Sequence, residues 1–134
     1  MDSFEDVRAH LAAHHELHDS DPYLISFDLA LADARRQSVF LTELEGEKGR
    51  RFLRVGSPIA PIGDLDPAKC LRFNWEQRMG YLALSDLEGE PYLQLCENRP
   101  FKGLSAQELD RIVGEIGALA DRLEHLLHQG SDVA

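Results

Sequence analysis

The last stretch of the chain, about residues 104–129, constrains the fold more than any other. Ser105, followed three positions later by Glu108, forms an S-x-x-E capping box. In such a box the serine oxygen accepts from the Glu108 amide, and the glutamate side chain reaches back to the Ser105 amide. Leu104 stands where a hydrophobic staple onto Leu109 forms. Leu109, Ile112, Val113, Ile116, Leu119, Leu123, Leu126 and Leu127, with Ala120 among them, then recur at helical period. Asp110, Arg111, Glu115, Arg122 and Gln129 occupy the opposite face. Burial of this stripe contributes about 1.5–3 kcal/mol per large side chain, an upper bound because unfolded chains are already partly collapsed. Gly130 is a natural stop. Gly114 and Gly117 lie on the flank and cost about 1 kcal/mol each against alanine, so either another backbone approaches closely there or they are tolerated drift.

Upstream, the chain alternates between two periodicities. Ser3 with Asp6 starts a helix over about residues 4–18 with a thin stripe of Phe4, Val7 and Leu11, ended by Asp19-Ser20-Asp21-Pro22. From Tyr23 the period is two: Tyr23, Ile25, Phe27, Leu29 and Leu31 alternate with Leu24, Ser26, Asp28, Ala30 and Ala32. Strands follow over about 36–45 and 50–56, joined by the loop Glu45-Gly46-Glu47-Lys48-Gly49. Pro58 and Pro61 predict an extended, edge-running connector that no central strand contains. Asp66 and Pro67 cap a short helix over about 67–73. A strand over about 79–86, a turn at Glu88-Gly89-Glu90 and a strand over about 91–97 lead to the last helix. The order α-β-β-β-α-β-β-α predicts an α+β fold, an antiparallel sheet packed against N- and C-terminal helices. With no repeat or linker in 134 residues, a single domain over 1–134 is expected.

Chemistry is harder to find. A net charge of −10 argues against a nucleic-acid partner, which would select a basic face. Cys70 and Cys96 form no C-x-x-C pair and no four-ligand set, so both read as buried thiols. The acidic start lacks the apolar core of a signal peptide, and no run reaches the ~18 apolar residues of a membrane span, so a cytoplasmic location is expected. His10/His14 and His14/His18 are i, i+4 pairs on the expected first helix and could share a metal. His15-Glu16-Leu17-His18 falls one residue short of H-E-x-x-H, however, and no third ligand is dictated, so solvated histidines are expected there. The acidic pairs Asp19/Asp21, Glu43/Glu45/Glu47, Asp64/Asp66 and Glu88/Glu90 sit mostly at caps and turns. No phosphate loop, dinucleotide fingerprint or nucleophile elbow occurs. The expectation is therefore a protein without catalytic residues, metal or cofactor.

Leu71-Arg72-Phe73-Asn74, Gly80-Tyr81-Leu82-Ala83-Leu84, Glu88-Gly89 and Tyr92-Leu93-Gln94-Leu95 form a series with two later segments. Those are Leu104-Ser105-x-x-Glu108-Leu109 and Leu119-Ala120-Asp121-x-Leu123-Glu124. Together they resemble the superfamily that joins class I type III secretion chaperones with the YbjN-like proteins, the latter often described as sensory-transduction regulators. The resemblance spans about residues 53–127, including Leu53-Arg54-Val55; the first fifty match only in their α-β-β order. It implies a small bacterial protein, usually a homodimer, that binds segments of partner proteins and catalyses nothing. It also implies a dimer contact built from the middle helix and an adjoining strand, here Leu71, Phe73 and Trp75 with Tyr81 nearby. Those three large apolar groups are already in excess for so short a helix and its exit, as core or as interface.

A sheet built from hairpins offers edges and side-chain pockets to a partner segment. Leu24, Phe40 and Leu44 lie opposite the Phe27/Leu29 and Val39/Leu41 sets. One set must face the helices, and the outward one is either a partner groove or covered by the dimer mate. The candidates for binding an as yet unidentified protein are thus Leu24, Phe27, Leu29, Phe40 and Leu44. The acidic surface favours a segment with basic residues among hydrophobic ones. The alternative class is a small-molecule-binding regulatory domain.

Overall fold

In the computed structural model, which describes residues 1–63 and 65–128, the chain begins with α1 (Phe4–Ala12), β1 (Asp19–Asp21) and β2 (Leu24–Ala30). It continues through β3 (Arg36–Glu45), β4 (Arg51–Pro61), α2 (Pro67–Glu76), β5 (Tyr81–Leu87), β6 (Glu90–Pro100) and α3 (Ala106–His128). The six strands form one antiparallel sheet in the order β1-β2-β3-β4-β6-β5. The architecture is the expected α+β arrangement, with β1 added at one edge. Asp19, Ser20 and Asp21 are all exposed and carry no hydrophobic alternation, so only their pairing with Leu24, Ile25 and Ser26 makes them a strand. The first helix also stops at Ala12 rather than near residue 18. Past Leu11 the stripe has nothing large to bury, and the His14 and His15 amides fold back onto the Leu11 carbonyl.

Ser105 Oγ accepts from the Glu108 amide at 3.0 Å, as the capping box requires. The return half does not form. Both Glu108 carboxylate oxygens bond Arg111 instead, at 3.1 and 2.6 Å, because a guanidinium one turn away offers a stronger partner than an amide. Leu104 and Leu109 share the core, which joins Phe4, Val7 and Leu11 of α1 to Ile112, Val113, Ile116, Ala120 and Leu123 of α3. Between these helices and the sheet lie Ile25, Phe27, Val39, Leu41, Leu53, Val55, Leu93 and Leu95. Leu126 is exposed rather than buried, one turn beyond the last buried leucine. At Gly117 a Cβ would lie 2.4 Å from Leu29 Cδ2, so a side chain rather than a backbone makes the close approach; nothing lies near Gly114. Gln129, Gly130 and Asp64 lie outside the described residues.

The prolines correct the sequence expectation. Pro58 and Pro61 belong to β4, which lies inside the sheet between β3 and β6. Proline is tolerated because β3 and β4 pair only from Phe40↔Gly56 to Glu45↔Arg51, and the β4–β6 register shifts between Pro58 and Ala60. Where the ladder stops, side chains take over. Buried Gln37 donates to Ser57 Oγ at 2.9 Å and to the Pro58 carbonyl at 3.0 Å, and Ser57 Oγ donates to the Ser38 carbonyl at 2.6 Å. No helix among the described residues is long and apolar enough to cross a membrane.

Candidate functional site

The helices cover one face of the sheet, and the other face is open. Because side chains alternate along each strand, the register places Ser26, Phe40, Gly56, Cys96 and Tyr81 in one row across β2, β3, β4, β6 and β5. Beside it run Leu24, Thr42, Arg54 and Asn98. Leu24, Phe40, Arg54, Gly56, Tyr81 and Cys96 line a cavity of about 490 Å³ to which no helix contributes a residue. The partner candidates therefore separate. Leu24, Phe40 and Leu44 are half-buried, with Leu24 and Phe40 on the open face. Phe27 is buried in the core, and Leu29 packs against it from the same side, which takes both away from an outward groove.

Sequence reasoning missed Gly56, Arg54 and Cys96 here. An isolated glycine inside a strand pattern was the available signal, since it marks a close approach of something else. It read instead as the end of a strand. Arg54 Nε donates to Asn98 Oδ1 at 3.1 Å. Cys96 is buried, and burial pushes its thiol above the ordinary range while the Arg54 charge acts in the opposite direction. Cys70 is only half-buried, unlike the expected buried thiol.

A second apolar surface lies around α2. Asp66 caps the helix by accepting from the Ala68 amide at 2.9 Å, and Pro67 occupies its first turn. The helix runs on to Glu76, past the expected end near 73, so that Asn74 can pair with an edge strand. The Asn74 side-chain amide accepts from the Leu82 N–H at 2.6 Å and donates to the Leu82 carbonyl at 3.1 Å, standing in for a further strand along β5. This attachment turns Leu71 (69% exposed) and Trp75 (87% exposed), one helical turn apart, into solvent. Leu84 and Ile62 are exposed nearby, with Leu71 and Leu84 lining a depression of about 220 Å³. Phe73 packs against the core instead, and Tyr81 lines the open-face cavity.

The histidines are not uniformly solvated, as the sequence reading expected. His10 Nε2 lies 2.8 Å from Asp110 of α3, and its ring meets His14 edge-on at 5.0 Å. His15 stacks on Phe27 with ring centroids 4.1 Å apart. Its pKa is lowered, first by burial and then by the neighbouring His14. His18 lies 3.3 Å from Asp28. Because α1 has ended, His14, His15 and His18 do not share a helical face. No group of three or more histidine, cysteine or acidic side chains among the described residues is placed to hold a metal.

Among solved structures, the chain is similar to a chain of the ExsC–ExsE complex, with a TM-score of 0.65 and 18% identity over 95% of this chain and 97% of that one. It is also similar to a chain of the HopA1–SchA chaperone–effector complex, with a TM-score of 0.58 and 15% identity over 90% and 89%. At these identities the likeness is one of fold, and that fold is type III secretion chaperone-like. No protein-family model matches the chain, and no curated protein matches it in sequence.

Proposed function

We propose that this protein is a non-catalytic, chaperone-like or regulatory module that binds a segment of a partner protein and works as a homodimer. The observation that carries the reading is the open sheet face. Leu24, Phe40 and Tyr81 line a cavity there that no helix covers, while the opposite face is sealed by α1 and α3. A concave surface with apolar walls and a few polar groups suits side chains of an extended or helical segment. The two structural neighbours come from protein–protein complexes, one of them described as chaperone–effector, which is consistent with a partner-binding role. YbjN-like regulators remain the other half of the resemblance, and a regulatory role stands beside the chaperone one.

The dimer is proposed on Leu71 and Trp75. Solvent exposure of a tryptophan and a leucine one turn apart, next to Leu84 and Ile62, is what an apolar interface core looks like before it is covered. Light scattering over a wide concentration range is expected to give twice the 15.1 kDa chain mass. Leu71→Glu combined with Trp75→Glu is expected to return the monomer with its helical signal intact. A 15.1 kDa species at every concentration rejects the dimer. Calorimetry and cross-linking with proteins recovered from a host lysate test the partner; reproducible recovery of a metabolite and no protein favours the small-molecule alternative.

A further inference from the structure

We infer that Gly56 and Arg54 set the specificity of the open face: the bound segment places a bulky apolar side chain over Gly56 and a carboxylate against Arg54. The inference rests on the partner-binding reading above. Gly56 is the one position in its row without a side chain, between Phe40 on one strand and Cys96 on the next. Neither conformation nor crowding demands glycine. Its φ is outside the left-handed region, and an added Cβ would meet Cys96 Sγ and Gln94 Oε1 at 3.6 Å and the Leu95 carbonyl at 3.8 Å, which is ordinary contact. A glycine inside a strand weakens it and marks a place where a ligand or another chain comes close. What this one provides is a floor for the cavity.

Arg54 lies two residues along the same strand and therefore on the same face, about 6.5–7 Å away. It is half-buried, and among the described residues its side chain bonds the neutral Asn98 amide oxygen and no other group. Arg8, Arg35, Arg51, Arg99 and Arg111 each have a carboxylate partner; among the described residues Arg54, like Arg36, Arg50, Arg72, Arg78 and Arg122, has none, and of these six it is the one that lines the cavity. Asp86 lines the same cavity from β5 and is not paired with it. A guanidinium fork with donors to spare is shaped for a carboxylate. In a chain of net charge −10, an acidic residue on the partner is repelled in general and accepted beside Arg54, so the contact discriminates between segments. A segment extended along β4 presents alternate residues at the spacing of Gly56 and Arg54. The recognised pattern is thus a bulky apolar residue and an aspartate or glutamate two positions apart.

The test is selection of random short peptides displayed on phage against the full-length chain, with affinities then read by fluorescence anisotropy. Enrichment of a bulky apolar and an acidic residue two positions apart, in either order, is expected. Gly56→Leu is expected to weaken the selected peptides roughly tenfold or more. Arg54→Glu, a change at a half-exposed position that keeps the fold even if the leucine variant does not, is expected to replace the acidic preference by a basic one. Selected peptides that lack the pattern, or that bind Arg54→Glu and folded Gly56→Leu within about twofold of the parent, overturn the inference and leave the partner-binding reading in place. A selection that enriches nothing overturns both.

Discussion

The two faces of the sheet come from the same strands and end in opposite conditions. Along β3, Val39 and Leu41 are wholly buried beneath the helices, while Phe40 between them and Thr42 just beyond are half-buried on the open side. On the covered face the polar exceptions are neutralised by pairing, as Gln37 is by Ser57 and the Pro58 carbonyl. The open face keeps a bare glycine and an arginine without a carboxylate. Cover and composition go together: the sealed face is mostly apolar from β2 to β6, whereas the open face mixes Leu24, Phe40 and Tyr81 with Ser26, Thr42, Arg54 and Asn98. A core face needs every polar group satisfied, whereas a recognition face leaves some capacity unspent.

Ile116→Asp should sharpen that contrast most. It places an unpaired charge in the sealed layer and is expected to cost several kcal/mol of a total of about 5–15 kcal/mol. Leu44→Asp, at a half-buried position outside that sealed layer, is expected to cost about 1 kcal/mol. Urea melts giving equal losses would erase the distinction between covered and uncovered positions.

Gln37→Ala removes the side chain that bridges the gap between β3 and β4 and leaves the Pro58 carbonyl without that donor. A loss of about 1–3 kcal/mol in denaturant midpoint is expected, and a neutral result would show that the covered face does not depend on this bridge.

The pH dependence probes the end of the covered face. His15 has a folded pKa below its ordinary 6.5, so the folded state prefers the neutral ring. Its contribution is therefore fully present above 6.5 and is lost as the pH falls through 6.5 toward the lowered folded value. Stability measured at pH 7.5 and at progressively lower pH should fall less in His15→Phe, which keeps a ring on Phe27 and cannot be protonated. An unchanged slope would assign the acid sensitivity to other groups.

The smallest effect compares two glycines on α3. Gly114→Ala, with open space around it, is expected to raise stability by up to about 1 kcal/mol. Gly117→Ala must displace Leu29 and should recover less of that gain, as thermal melts of the pair would show.

Patterns carried by short-range rules were legible in advance. The Ser105 cap, the apolar stripe of α3, the strand over 36–45 and the Glu88-Gly89 turn all follow from local preferences. Glu88 and Gly89 both take positive φ, as a two-residue hairpin turn asks. The strand β1 was invisible because three exposed polar residues hold their place only through backbone bonds to β2. Pro58 was misplaced because the rule against proline in a central strand presumes a complete ladder on both sides. The partial β3–β4 pairing, the register shift and Gln37 are long-range facts.

The sequence by itself determined the class of fold, since periodicity and capping act within a few residues of one another. It also marked Leu71, Phe73 and Trp75 as an apolar excess on a short helix, as core or as interface; the structure packs Phe73 against the core and leaves Leu71 and Trp75 exposed. Only the tertiary structure decided which set of strand side chains lies under the helices. Along β3 the alternation is ambiguous, with Val39 and Leu41 on one face and Phe40 and Leu44 on the other, so the choice falls to the side on which α1 and α3 pack. That choice buried Phe27 and left Phe40, Gly56 and Arg54 facing outward, because strands far apart in the chain meet there in one register.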